Sequence, residues 1–80
     1  MGRKRVHLTF PEDLVQEPII YNLAKRFDIV TNIRRANVEE HFGWVILEIE
    51  GPDAAIAEGL SYMRDLGVEI NEIAGDVVEG

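Results

Sequence analysis

Few side chains in this chain could act as bases, nucleophiles or soft metal ligands. It has two histidines, His7 and His41, a single serine, Ser61, and no cysteine. The histidines lie far apart in sequence, and neither has a second ligand at a spacing that would close a tetrahedral zinc site. The lack of cysteine removes thiolate nucleophiles, disulfides and cysteine-held clusters, and it fits a reducing compartment. Ser61 belongs to no serine–histidine–aspartate set. Glu39, Glu40, Glu48 and Glu50 come nearest to a paired acid and base. Glu48 and Glu50 share a strand face, but alternating acids on an exposed strand serve solubility and discourage edge pairing. Gly43, Gly51, Gly59 and Gly67 stand singly and make no phosphate-cradling loop. These residues imply binding and not catalysis: no catalytic residue, no metal ligand and no cofactor is expected, and the chain is not read as an enzyme.

The elements that must position any binding residues are short, because 80 residues form one domain. A chain of this size buries only about 60–65% of the surface its unfolded form exposes. Its 46% apolar content is enough for a modest core. The formal net charge is −7, from 15 acids against 8 bases. Such a surface repels phosphate backbones, so nucleic acid is not an expected partner. Two basic clusters, Arg3-Lys4-Arg5 and Arg34-Arg35, are read as solvated strand edges. No apolar run approaches the ~20 residues of a membrane helix. The basic start, Met1–Arg5, is followed by alternating residues that stop at Pro11, so no signal-like apolar region follows it. A cytoplasmic location without membrane insertion is expected.

Val6, Leu8 and Phe10 alternate with Arg5, His7 and Thr9, the period of a half-buried strand. Pro18 suits a helix start, and Ile19, Ile20, Leu23, Ala24 and Phe27 recur at helical spacing, which predicts a helix over 17–27. Ile29, Thr31 and Ile33 alternate next. The apolar set then changes phase to Ala36 and Val38, so a β-bulge is expected near Arg34–Arg35. A turn through Glu40, His41, Phe42 and Gly43 leads to a strand over 44–50. Gly51-Pro52-Asp53 turns into a second helix that carries Ile56, Leu60 and Met63 and ends at Gly67. Gly59 within that helix marks close packing against a neighbour. Val68, Ile70 and Ile73 are read as the last strand.

The order βαββαβ predicts an α+β ferredoxin-like plait, a four-stranded antiparallel sheet with both helices on one face. The helix-facing set is Val6, Leu8, Phe10, Ile29, Thr31, Ile33, Val45, Leu47, Ile49, Val68 and Ile70. The open set is His7, Thr9, Val30, Asn32, Arg34, Trp44, Ile46, Glu48 and Asn71. Val30, Trp44 and Ile46 would form an apolar patch there, of the kind that marks a partner surface. The segment His41-Phe-Gly-Trp-Val-Ile-Leu47 faintly echoes an RNA-recognition strand on the same topology. The first strand, however, turns only His7 and Thr9 outward and offers no aromatic ring to stack a base.

Leu8-Thr-Phe10, Glu17-Pro-Ile-Ile20, Asn32-Ile33 with Ala36, the strand Gly43-Trp-Val-Ile-Leu-Glu-Ile-Glu-Gly51 and Leu66-Gly-Val-Glu-Ile70 together resemble the NIL domain. The resemblance runs from about Arg5 to Ile73. Read this way, the chain is a single NIL-like domain over residues 1–80, structured over about 3–74, with a frayed tail at 75–80. The resemblance implies an ACT-like regulatory module of the kind found in methionine importer ATPases and beside ferredoxin modules of sulfur metabolism, here in its stand-alone form. It implies a homodimer that binds a small amino acid, with methionine or another sulfur metabolite as candidate. The expected ligand residues are Asn32, Arg34, His41 and Trp44, and the expected interface is Val30, Trp44 and Ile46. The alternative is a protein-interaction module that docks on a sulfur-metabolism enzyme or transporter. One departure stands out: the family's Asn-Ile-Leu is Asn32-Ile33-Arg34 here, with an arginine on the open face.

Overall fold

The structure, a computed structural model, describes residues 2–73, so the tail expected to fray lies outside the described residues. The elements run β1 (Gly2–Phe10), α1 (Ile19–Arg26), β2 (Val30–Val38), β3 (Gly43–Gly51), α2 (Asp53–Leu66) and β4 (Glu69–Glu72). The sheet order is β2-β3-β1-β4, and every neighbouring pair is antiparallel. This is the expected plait. The central strands β1 and β3 are the longest paired ladder, from Gly2 opposite Gly51 to Phe10 opposite Gly43.

The period-two pattern becomes a core on one face only. Val6, Leu8, Val45, Leu47 and Ile49 point to the helices and are buried against Ile19, Leu23, Ile56, Leu60 and Met63. Each such side chain, fully buried, contributes about 1.5–3 kcal/mol. α1 is shorter than its apolar spacing suggests. Pro18 stands at the N-cap and not inside the first turn, and the Ile19 N–H donates to the Glu17 carbonyl in a tight turn just before the helix. Lys25 and Arg26 fill the last turn of α1, where positive charge meets the helix dipole. They also lie over the rings of Tyr21 and Tyr62, at 5.5 and 5.2 Å from the ring centroids.

Two glycines of the second helix and its end show how geometry selects this residue. Gly67 closes α2 at φ 110°, a left-handed conformation, and its N–H donates to the carbonyls of the last turn. Gly59 lies where α2 meets α1: a Cβ there would stand 2.9 Å from Leu23 Cδ1, closer than two carbons can pack. The expected tight contact at Gly59 is thus with α1.

The edge strands depart from the expected core. Thr31 and Ile70 are only half-buried, and Ile33 is 53% exposed although it faces the helix side. Period two reports which face a residue takes. It does not report whether anything covers that face, and no described residue fully covers Ile33 at the outer edge of β2. The same holds for Val38, which is 61% exposed.

Candidate functional site

β2 is the outermost strand on its side of the sheet, and its bulge organises the residues around it. Ile33 stands opposite Leu47 and Arg35 opposite Ile46, so the register shifts between them and Arg34 is the extra residue. The bulge keeps Thr31, Ile33, Ala36 and Val38 all on the helix side, since their partners Ile49, Leu47 and Val45 point there. The open face then reads in rows across the sheet. Val30, Glu50 and Arg3 form one row, and Asn32, Glu48 and Arg5 the next. Arg35, Ile46, His7 and Asn71 follow, and then Asn37, Trp44, Thr9 and Glu69.

One half of this face is an ion-pair ladder. Arg3 pairs with Glu50 at 3.0 Å and Arg5 with Glu48 at 3.1 Å, each directly across from its partner in the β1–β3 register. Lys4, on the other face, pairs with Glu72 at 3.4 Å. The first basic cluster is therefore tied down by acids. The Arg5 hydrogen bond holds the Glu48 carboxyl below the usual carboxylate range against a smaller opposing effect of burial, and the charges of Arg3 and Arg34 add to it. The second basic cluster differs. Arg34 and Arg35 are exposed, and neither makes an ion pair or a side-chain hydrogen bond with another described residue.

The other half of the face is aromatic. His7 stacks on Trp44 with ring centroids 5.4 Å apart and planes 17° from parallel. Both rings and Ile46 are half-buried, while Val30 is 66% exposed. The ring of His7, on β1, thus covers part of Trp44. His41, in the β2–β3 connection, shares a 2.6 Å hydrogen bond through Nδ1 with Glu12 Oε2 and lies 3.7 Å from Glu40 through Nε2. It pins that connection to the segment after β1.

The four expected ligand residues do not form one cluster. Asn32 and Arg34 sit together at the bulge. Asn32 stands opposite Glu48, and Trp44 lies four residues up β3, about 13 Å away at ~3.3 Å per residue. No single free amino acid spans both positions. Trp44 and His41 belong to the other end of β2.

A cleft on the helix side lies apart from all the expected ligand residues. Phe10, Leu14, Val15, Ile19, Tyr21 and Val38 are among the residues lining an apolar cleft of about 180 Å³ between α1 and the β2 edge. Its floor is core, and its wall is the segment after β1, folded back by Leu14 and Val15 N–H groups donating to the Pro11 carbonyl. The paired apolar residues Leu14 and Val15 between two prolines were the available signal. A second cleft, about 340 Å³, lies between the start of β1 and α2 and is lined by Lys4, Asp53, Arg64 and Glu72 among others. None of Asn32, Arg34, His41 and Trp44 lines either cleft. No group of three or more metal-ligating side chains occurs among the described residues. No described helix is long and apolar enough to cross a membrane.

Comparison with known proteins agrees with this architecture. The NIL domain model matches residues 4–72. The chain is 30% identical over 74 residues to the methionine import ATP-binding protein MetN of Halalkalibacterium halodurans, covering 88% of this chain and 22% of that protein. It is 35% identical over 69 residues to MetN 2 of Acinetobacter baylyi, covering 81% of this chain and 20% of that protein. The chain thus spans about a fifth of the length of these relatives. Its fold matches the C-terminal domain of an ABC transporter ATP-binding protein from Enterococcus faecalis with a TM-score of 0.76 and 23% identity, covering 88% of this chain and 82% of that one. With the family model matching residues 4–72 and a relative 30% identical over 88% of the chain, the chain belongs to the NIL domain family.

Proposed function

We propose that this domain is a non-enzymatic regulatory module of the cytoplasm that works as a homodimer and binds a small amino acid or sulfur metabolite at the seam between copies. The observation that carries this reading is the state of β2. It is an edge strand of nine residues with no proline or lysine, and it leaves Val30, Ile33 and Val38 more than half exposed. A long unpaired sheet edge is a template for another strand. Pairing two β2 strands antiparallel would satisfy that edge and cover Ile33 and Val38.

The ligand site in this reading is the bulge end of β2. Asn32 and Arg34 lie there together, and the Arg34 guanidinium presents two parallel N–H groups that match a carboxylate. The cleft beside Val38 lies on the helix side at the opposite end of β2 and is separate from this site. At about 180 Å³ it suits one apolar side chain, since whole small-molecule pockets run to ~300 Å³ and more. His41 and Trp44 complete the far end of the seam.

A ligand panel read by thermal shift tests this. Free methionine, other amino acids and sulfur metabolites are compared on the wild type, Asn32→Ala and Arg34→Leu. A ligand that binds only the folded state raises the midpoint by mass action, by about 2.7 kcal/mol of stability at a hundredfold excess over its dissociation constant. The reading expects at least one responder whose effect is lost in the variants. A flat response across the panel from folded protein would reject it.

The stacked His7–Trp44 pair with Ile46 favours a second reading. In it the domain docks through its open face on an enzyme or transporter of sulfur metabolism. Recovery of an identical set of bound proteins with wild type and Trp44→Ala would reject that surface.

A further inference from the structure

The geometry points to an anion-gated seam: the β2 edges of two copies pair around a two-fold axis between Arg34 and Arg35, and a tetrahedral dianion of the sulfate or phosphate class holds the arginines together. This inference rests on the homodimer proposed above, adds its register, and assigns Arg34 to a dianion in place of an amino-acid carboxylate.

The register follows from the bulge. Side chains directly opposite in an antiparallel pair must share a face. In a regular strand, residues an odd number apart lie on opposite faces. In β2 the extra residue at Arg34 changes that parity, so Thr31 and Val38 share the helix side, as do Ile33 and Ala36. A two-fold axis between Arg34 and Arg35 therefore matches faces throughout. Thr31 meets Val38 of the second copy and Ile33 meets Ala36 on the helix side. On the open side Asn32 meets Asn37 and Arg34 meets Arg35. The exposed apolar residues of β2's helix side find apolar or small partners, and the strand pairs over nearly its full length.

The same register sets Arg34 against Arg35 of the second copy twice, so four guanidiniums converge on the axis. Like charges directly opposite each other oppose pairing. Arg34 and Arg35 bring no ion-paired acid of their own among the described residues, in a chain with 15 acids to 8 bases. A bulge and a charge are also the two devices that keep a sheet edge single, and here both fall at the axis. The seam stays open until a ligand neutralises it. One monocarboxylate carries a single charge for four guanidiniums. A dianion with several acceptor oxygens can receive paired N–H donors from both copies.

The test is sedimentation equilibrium of the wild type and of Arg34→Gln with Arg35→Gln, in chloride, in sulfate, in inorganic phosphate and with free methionine, all at matched ionic strength. Matching removes general screening, and the variant reports the salting-out effect of sulfate on apolar association. The expected result is that sulfate or phosphate at ~10 times its dissociation constant tightens the wild-type dimer about tenfold. The variant should dimerise in chloride and ignore the dianions. A wild-type dimer equally tight in chloride and sulfate would leave the homodimer standing and overturn the gate. Tightening by methionine alone would overturn the dianion. Absence of a dimer in every condition, for both proteins, would overturn the homodimer itself and the gate with it.

Discussion

Ile33 and Leu47 stand directly opposite each other in the β2–β3 ladder and point to the same face, yet Leu47 is fully buried while Ile33 is 53% exposed. The difference is one strand's width, because β3 is a central strand and Ile33 lies on the edge strand, where helix cover is incomplete. Truncation should expose the same contrast. Leu47→Ala is expected to cost about 2–5 kcal/mol. Ile33→Ser should cost the monomer only about 1 kcal/mol, in keeping with its half-lost burial. Urea denaturation at low protein concentration measures both.

The His7–Trp44 stack links β1 to β3 on the face without helices. An aromatic pair of this kind is worth about 0.5–1.5 kcal/mol beyond the area it buries. A double-mutant cycle with His7→Ala and Trp44→Ala should return a coupling in that range. Strict additivity would show that the two rings stabilise the sheet independently.

Arg5 holds the Glu48 carboxyl below its ordinary value of 4.5. A carboxyl whose folded value is depressed stabilises the fold above its unfolded value and loses that contribution as pH falls through the folded one. Glu48→Gln should therefore be less stable than wild type near neutrality. The gap should narrow as pH drops below about 4.5. Urea midpoints of the two proteins from pH 7 down to pH 3 give the comparison.

Gly67 takes φ 110° with ordinary room around it, so its substitution tests backbone strain alone. Gly67→Ala should cost about 1–3 kcal/mol. Gly59 has the reverse problem, with helical backbone and Leu23 in the way. Gly59→Leu should be the more damaging change, since overpacking at a fully buried neighbour adds to the displaced contact. Thermal midpoints of the two variants rank them.

The plait was legible because its signals are local and agree with one another. Alternation in β1 and β3, the Gly67 stop and the change of phase at Arg34–Arg35 each come from a few neighbouring residues. The bulge was readable for the same reason, since it alters the pattern of the strand that holds it. Alternation alone puts Ile33 in the core, because coverage depends on where α1 ends relative to β2, which no pattern within β2 records. The candidate site was less legible. Asn32, Arg34, His41 and Trp44 lie close in sequence, but a hairpin lays sequence neighbours out along its length, and the four residues divide between its two ends. The cleft beside Val38 went unseen because its walls come from three separate segments.

The central claim is that the β2 edge is where this domain meets its second copy. Hydrogen exchange of residues 30–38, followed by mass spectrometry in sulfate buffer across protein concentrations that span monomer and dimer, tests it most directly. The account predicts that protection of this strand rises in step with the dimer fraction while β4 stays as it was. A dimer that forms while β2 exchanges at its monomer rate would contradict it.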